Sequence, residues 1–201
     1  MSSALRCSAY RRRFQVEPRL ARAVAREFHA QQSRPGDPVV AAAYRQLAEQ
    51  AHRWFERITS VEGGVRVAFS ALADPYRDAA ELRDAVRSTG TLELHSVAYD
   101  RDRRHPLLGC RVGGSLDRFR AVHDVVSHAW GDHDFDRDGE YSSWRAEHLM
   151  YRGLARDALA TELHAHHSVR WTTGEVAPYR AVLLDRRLLD ASMRAGGSVP
   201  A

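Results

Sequence analysis

The sequence predicts a mainly α-helical α+β protein, a helical core with a small β-sheet contributed by the middle third of the chain. Three observations carry this. Apolar residues recur at helical spacing over most of the 201 residues, two short runs near the middle alternate instead, and turn residues separate the segments. A chain of this length and 44% hydrophobic content buries a real core. One domain over residues 17–194 is expected, with flexible tails at 1–16 and 195–201.

The elements follow in order. Glu17 to Gln32 places Leu20, Val24 and Phe28 on one face, and Asp37 to Thr59 does the same with Val40, Tyr44, Leu47, Ala51 and Phe55. These two amphipathic helices are expected to pack together. Between them, Ser33 to Pro38 supplies breakers, with Asp37 as N-cap and Pro38 at the first helical position. Val65 to Ser70 alternates as a strand, Asp74-Pro75-Tyr76 is a turn, and Asp78 to Ser88 reads as a helix ended by Gly90. Thr91 to Val97 is a second strand, able to pair with the first directly or through others. A loop from Tyr99 leads to Ser115, read as the cap of a helix reaching about Trp130. An Asp-rich loop follows, then helical pattern from Glu140 to about His167 with a bend near Gly153, and a last helix from about Tyr179 to Met193.

Composition excludes several classes. No stretch approaches the roughly 20 apolar residues that cross a bilayer, no apolar segment follows the basic start, and a cytoplasmic protein is expected. Cys7 and Cys110 are the only cysteines, too few for a disulfide framework or an all-cysteine metal site, though one chance disulfide between them stays open. The net charge is +4, yet the arginines alternate with acids along most of the chain. That pattern argues against nucleic acid as the main partner without excluding it. All 30 basic residues are Arg.

The chemistry concentrates between residues 119 and 167. Seven of the eleven histidines lie there, among Asp124, Glu140, Glu147 and Glu162. Asp124 and His128 are four apart and share a helical face, with His123 displaced by roughly 100° to the edge of the same groove. Glu140 and Glu147 are two turns apart, and Glu162 and His166 repeat the four-residue spacing. Carboxylates and imidazoles offered from three packed helices are how bundle proteins hold metals. This donor mixture suits zinc first, with iron or manganese as alternatives.

The expected ligands are His123, His128, Glu140 and Glu162. Glu147 is the candidate general base, and Asp124 a residue that orients a ligand or binds directly. A metal-dependent hydrolase of unknown substrate is the leading expectation. A non-haem iron or di-iron oxidase on the same residues is the second, and a non-enzymatic interaction or nucleic-acid-associated module with a structural polar network the third. The zinc-peptidase pattern is excluded because the histidines are five apart, which one helical face does not hold well, and no Glu follows the first. Asp134 to Gly139 imitates the start of a calcium loop but carries Arg145 where the bidentate Glu belongs, so its acids are read as serving the N-terminus of the next helix.

These residues also resemble a known family. Phe119-Arg-Ala-Val-His-Asp124, His128, Gly139-Glu140 with Trp144, and Thr161-Glu162 resemble the FRAVHD-x-FGH, GEE-x-x-W-x-x-H and TTETRGQNSW motifs of a family of phage and prophage proteins. Asp74-Pro-Tyr76, Asp84-Ala-Val86 and His105-Pro-Leu107 match in order, so the similarity spans about residues 17–175. The resemblance implies that His123, Asp124, His128, Glu140 and Glu162 are motif residues, and it names no reaction. Ser127 replaces the family's Gly, Glu147 stands at its second-helix His, and His164-Ala-His-His167 replaces Arg-Gly-Gln-Asn.

Overall fold

The computed structural model describes residues 11–60, 64–100, 102–195 and 198–199, the last two as backbone only. The architecture is mainly helical with a two-stranded parallel sheet, as the periodicities predict. Helix α1 (Pro18–Ala30) buries Val24 and Phe28, and α2 (Pro38–Ser60) buries Val40, Tyr44, Leu47 and Ala51. Asp37 accepts from the Val39 and Val40 amides at 2.9 and 3.2 Å, the expected cap. The two helices take separate partners instead of pairing mainly with each other. α2 packs on α4 (Ser115–His123) and α6 (Ala155–Ala160), and α1 on α7 (His166–Thr173).

Strands β2 (Arg66–Ser70) and β3 (Thr91–His95) pair directly and in parallel, Arg66 opposite Thr91 through Ser70 opposite His95. Parallel neighbours need a crossover, and α3 (Ala79–Thr89) supplies it. Asp78 caps its start through the Glu81 amide, and Gly90, in the left-handed region at φ 65°, ends it and turns directly into β3.

Several boundaries differ from expectation. Ser115 is the first residue of α4, and its hydroxyl accepts from the Gly109 amide instead of capping the helix. The helix expected from Glu140 starts earlier, as α5 (Arg137–His148), because Asp136 caps it through the Gly139 amide at 2.7 Å. That helix stops before residues 149–154 and resumes as α6, with Gly153 at φ 61° in the break. The last helix, α8, runs Arg186–Ala195. Residues 179–185, expected as the start of this helix, are irregular, and their apolar pattern reflects the burial of Ala181, Val182 and Leu184 in a non-helical segment.

Residues 11–16, expected as tail, are docked. β1 (Arg13–Phe14) pairs antiparallel with β4 (Ser198–Val199), the Phe14 amide donates to Ser142 Oγ at 2.8 Å, and the Val16 amide donates to Asp138 Oδ1 at 3.1 Å. Ala195 ends α8, while residues 1–10, with Cys7, and 196–197 and 200–201 lie outside the described residues. Cys110 is a free thiol.

The calcium-like Asp run is spent on structure: Asp134 pairs with Arg83, Asp136 caps α5 and Asp138 holds Val16. Gly139 is enclosed by the Asp134 backbone, where a Cβ would collide with the Asp134 carbonyl. Gly139→Ala is therefore expected to lower stability by about 1–3 kcal/mol, read as a lower urea midpoint, and to displace the neighbouring Glu140. A midpoint equal to wild type would contradict this packing.

Candidate metal centre

Two stretches of helix widen into π-helical turns. Asp124–Trp130 extends α4, and Thr161–Ala165 joins α6 to α7. α5 packs against both. Such turns bond each residue to the fifth along and concentrate at functional sites. Five residues on an α-helix leave two side chains about 140° apart, whereas the wider π turn brings them towards the same side. His123 and His128 accordingly meet, their Nε2 atoms 3.1 Å apart.

Glu140, from the first turns of α5, completes the group. Its Oε2 lies 3.3 Å from His123 Nε2 and 3.8 Å from His128 Nε2. The three residues are buried, and their ligand atoms are all mutually close enough to hold one metal ion. Ligands about 2.0–2.1 Å from a tetrahedral zinc stand about 3.3–3.5 Å from each other, close to the three separations here. His167 Nε2 also lies 3.2 Å from this Oε2, but it is not within common reach of all three ligand atoms. Glu140 Oε2 is buried and has no hydrogen bond of acceptable geometry although three imidazoles surround it, as expected of an oxygen that serves a cation.

The outer contacts orient the rings. His123 Nδ1 donates to Glu147 Oε1 at 2.6 Å, and the same oxygen accepts from Ser127 Oγ at 2.7 Å. His128 Nδ1 donates to the His133 carbonyl at 2.9 Å. Protons held on both Nδ1 atoms turn both Nε2 lone pairs towards Glu140, the arrangement in which outer acceptors fix metal-binding histidines.

Charge balance agrees. Burial and, against it, the Glu140 carboxylate leave His128 with its pKa lowered to about 4, so it is neutral at pH 7. Burial would also lower His123, but Glu147 and Glu140 outweigh it and raise this ring well above its usual value. Burial opposes ionisation of Glu140, yet His167, His128 and His123 hold its carboxyl well below the usual range. Without a metal, a proton on His123 supplies the positive charge the group requires.

The other expected site residues are placed differently. Glu162 joins a neighbouring network: its Oε1 accepts from Tyr44 Oη at 2.9 Å and from His105 Nε2 at 3.2 Å. His105 must donate there, because its Nδ1 accepts from the Leu107 and Leu108 amides. Glu147 is fully buried behind His123, away from the Nε2 side, and is not among the residues lining the adjacent cleft. Asp124 does line that cleft, with burial pushing its pKa up to about 6. Glu147 thus stands behind His123, and Asp124 stands on the cleft wall.

Sequence reasoning left His167 out of the ligand set, although the histidine cluster contained it. The spacing pairs His166 with Glu162, and the rest of His164 to His167 enters only as a departure from a motif. In the fold the stretch divides: His164 stacks on Trp144 with centroids 4.2 Å apart, His166 Nδ1 stands 4.0 Å from Glu162 Oε2, and His167 meets Glu140. Tyr44 and His105 lie too far away in the chain for spacing to reveal.

The centre opens on a cleft of about 530 Å³. Residues following β2 (Ala73, Asp74) and at the carboxyl end of β3 (His95, Val97) form one wall, the usual place for ligands in parallel sheets. The fold and site define a mainly helical protein with a buried His/His/Glu group able to hold a metal beside an open cleft. Among the described residues, no helix is long and apolar enough to cross a membrane. Comparison with protein-family models, curated proteins and solved structures finds no match to this chain.

Proposed function

We propose that the chain is a metal-dependent hydrolase, with His123, His128 and Glu140 holding a divalent ion, zinc first and iron or manganese second, and His167 at the same oxygen. The observation that carries this reading is the convergence of three buried ligand atoms at tetrahedral-edge separations, with both imidazoles oriented from behind and a cleft in front. A metal here would supply Lewis acidity to a water or a substrate oxygen. Asp124, poised at about 6 on the cleft wall, takes a proton near neutral pH. Glu147 and the His133 carbonyl hold the ligand rings in the required tautomer. A di-iron centre is less well supported, because the carboxylate it would require from Glu162 is already engaged by Tyr44 and His105. The motif resemblance at His123, His128 and Glu140 is consistent with a phage-type origin, which we retain as part of the proposal.

The test begins with metal analysis of protein purified without a histidine tag and reconstituted with zinc, iron or manganese. Hydrolysis of chromogenic carboxylic and phosphoric esters is then assayed with and without chelator. Stoichiometric metal and chelator-sensitive turnover are expected. Asp124→Asn should lose about 10²–10⁴-fold in kcat with metal content unchanged. A reconstituted wild type without stoichiometric metal, or turnover indifferent to the chelator, would overturn the proposal.

A further inference from the structure

Three arginines line the cleft: Arg103, Arg120 and Arg170. Arginines elsewhere commonly pair with acids, as Arg83 does with Asp132 and Asp134, and Arg186 with Asp157. Among the described residues, none of the three cleft arginines forms an ion pair. Two are held in place without being neutralised. Arg120 Nη1 donates to the His95 carbonyl at 2.8 Å, and the Arg103 guanidinium lies 5.0 Å over the Tyr179 ring. Arg170, in the last turn of α7, has no side-chain hydrogen bond among the described residues, and it is three residues from His167.

The carboxylates of the same wall are mostly committed elsewhere. Asp100 bonds His95 Nε2 at 2.9 Å, Glu162 is held by Tyr44 and His105, and Glu140 faces the imidazoles. Asp74 and Asp124 remain. Three guanidinium groups that no carboxylate among the described residues contacts, around one cleft and beside a candidate cation site, offer their donors to an anion with several acceptor oxygens. One planar fork satisfies a carboxylate, whereas a phosphoryl group presents three outer oxygens to several forks.

We infer that the cleft takes a substrate bearing a phosphoryl group, whose outer oxygens are bound by Arg103, Arg120 and Arg170 beside the His123/His128/Glu140 centre. The inference rests on the reading of this cleft as a hydrolytic site, and it names the substrate class. Arg103 and Arg170 are exposed, so their removal leaves the core intact. Arg120 also holds the end of β3 through the His95 carbonyl and is the less clean probe.

The test compares phenylphosphonate, which does not hydrolyse, with benzoate as a carboxylate of the same ring. Both are titrated by calorimetry into metal-loaded and metal-free chain at fixed ionic strength. One equivalent of phenylphosphonate is expected to bind, about tenfold or more weaker in Arg103→Gln and in Arg170→Gln, at unchanged metal content. Benzoate should bind at least about tenfold more weakly than the phosphonate. Equal phosphonate affinity in wild type and both variants, or benzoate binding as tightly, would overturn the inference and leave the hydrolase reading standing. If the wild type takes up no metal, the hydrolase reading falls alone, and arginine-dependent phosphonate binding by the metal-free chain still decides the substrate class.

Discussion

Replacing His128 by alanine is expected to lower metal affinity by about two to three orders of magnitude. Structural zinc sites draw roughly 10–16 kcal/mol from a full ligand set, so one ligand in four is worth about 3–4 kcal/mol. The ring is buried and its Nδ1 is engaged by the His133 carbonyl, which leaves Nε2 as the atom it offers to a metal. Glu140→Gln keeps the volume but removes the charge, and should lose metal to a similar degree. Glu147→Gln should cost only about 10–100-fold, because Glu147 touches His123 Nδ1 and not the ligand position. Competition against a chromogenic chelator orders the three variants, with circular dichroism confirming that each is folded. Metal affinity unchanged in both His128→Ala and Glu140→Gln would remove the centre from consideration.

The metal-free protein is expected to unfold steeply as pH falls from about 6.5 towards 4. Burial lowers His128 and His166 to about 4 and His164 to about 3. These imidazoles stay neutral in the folded chain, while in the unfolded chain they protonate below the usual 6.5. The unfolded state therefore binds more protons across this window, and stability falls as pH falls. His123 has the opposite shift, and it is protonated in both states here, so it contributes little to the slope. Each neutral buried ring adds about 1.4 kcal/mol per pH unit; Asp124, raised to about 6, takes up a proton in the folded chain over the same window and offsets about one of them, leaving on the order of 3 kcal/mol per unit. A typical total stability of 5–15 kcal/mol is consumed within a few units. Urea midpoints measured from pH 7 to 4 check this, and a flat profile down to pH 4.5 would contradict it. Saturating metal should shift the decline to lower pH by holding the ligands deprotonated.

The sequence made legible whatever depended on local pattern. The amphipathic stripes of α1 and α2, the Asp37 cap, the Gly90 stop and the two alternating runs became the elements they suggested. The region of the site was legible for the same reason, since His123, His128 and Glu140 lie in the one segment dense in imidazole and carboxylate. What failed depended on tertiary geometry. Assigning Glu162 to the ligand set assumed that helical carboxylates point at one centre, but Tyr44 and His105, from distant segments, claim it. The place of Glu147 behind His123 depends on how α5 packs against the stretch after α4, which spacing along one helix does not reveal. The apolar run at residues 181–184 looked helical because burial in an irregular segment leaves the same residue types behind.

The widened turn in the helix after α4 also has a consequence for recognising such sites. A metal pair on an ordinary helix is spelled with three residues between its histidines, and motif vocabularies are built on that spelling. Here the extra residue per turn acts as an insertion within the word. Asp124-Val-Val-Ser127, four residues, separates His123 from His128, yet the two rings meet. A search for the shorter spelling passes over this chain while the ligands are in register. Helical metal sites of this kind are better sought with a grammar that allows one inserted letter wherever a helix changes its hydrogen-bond step.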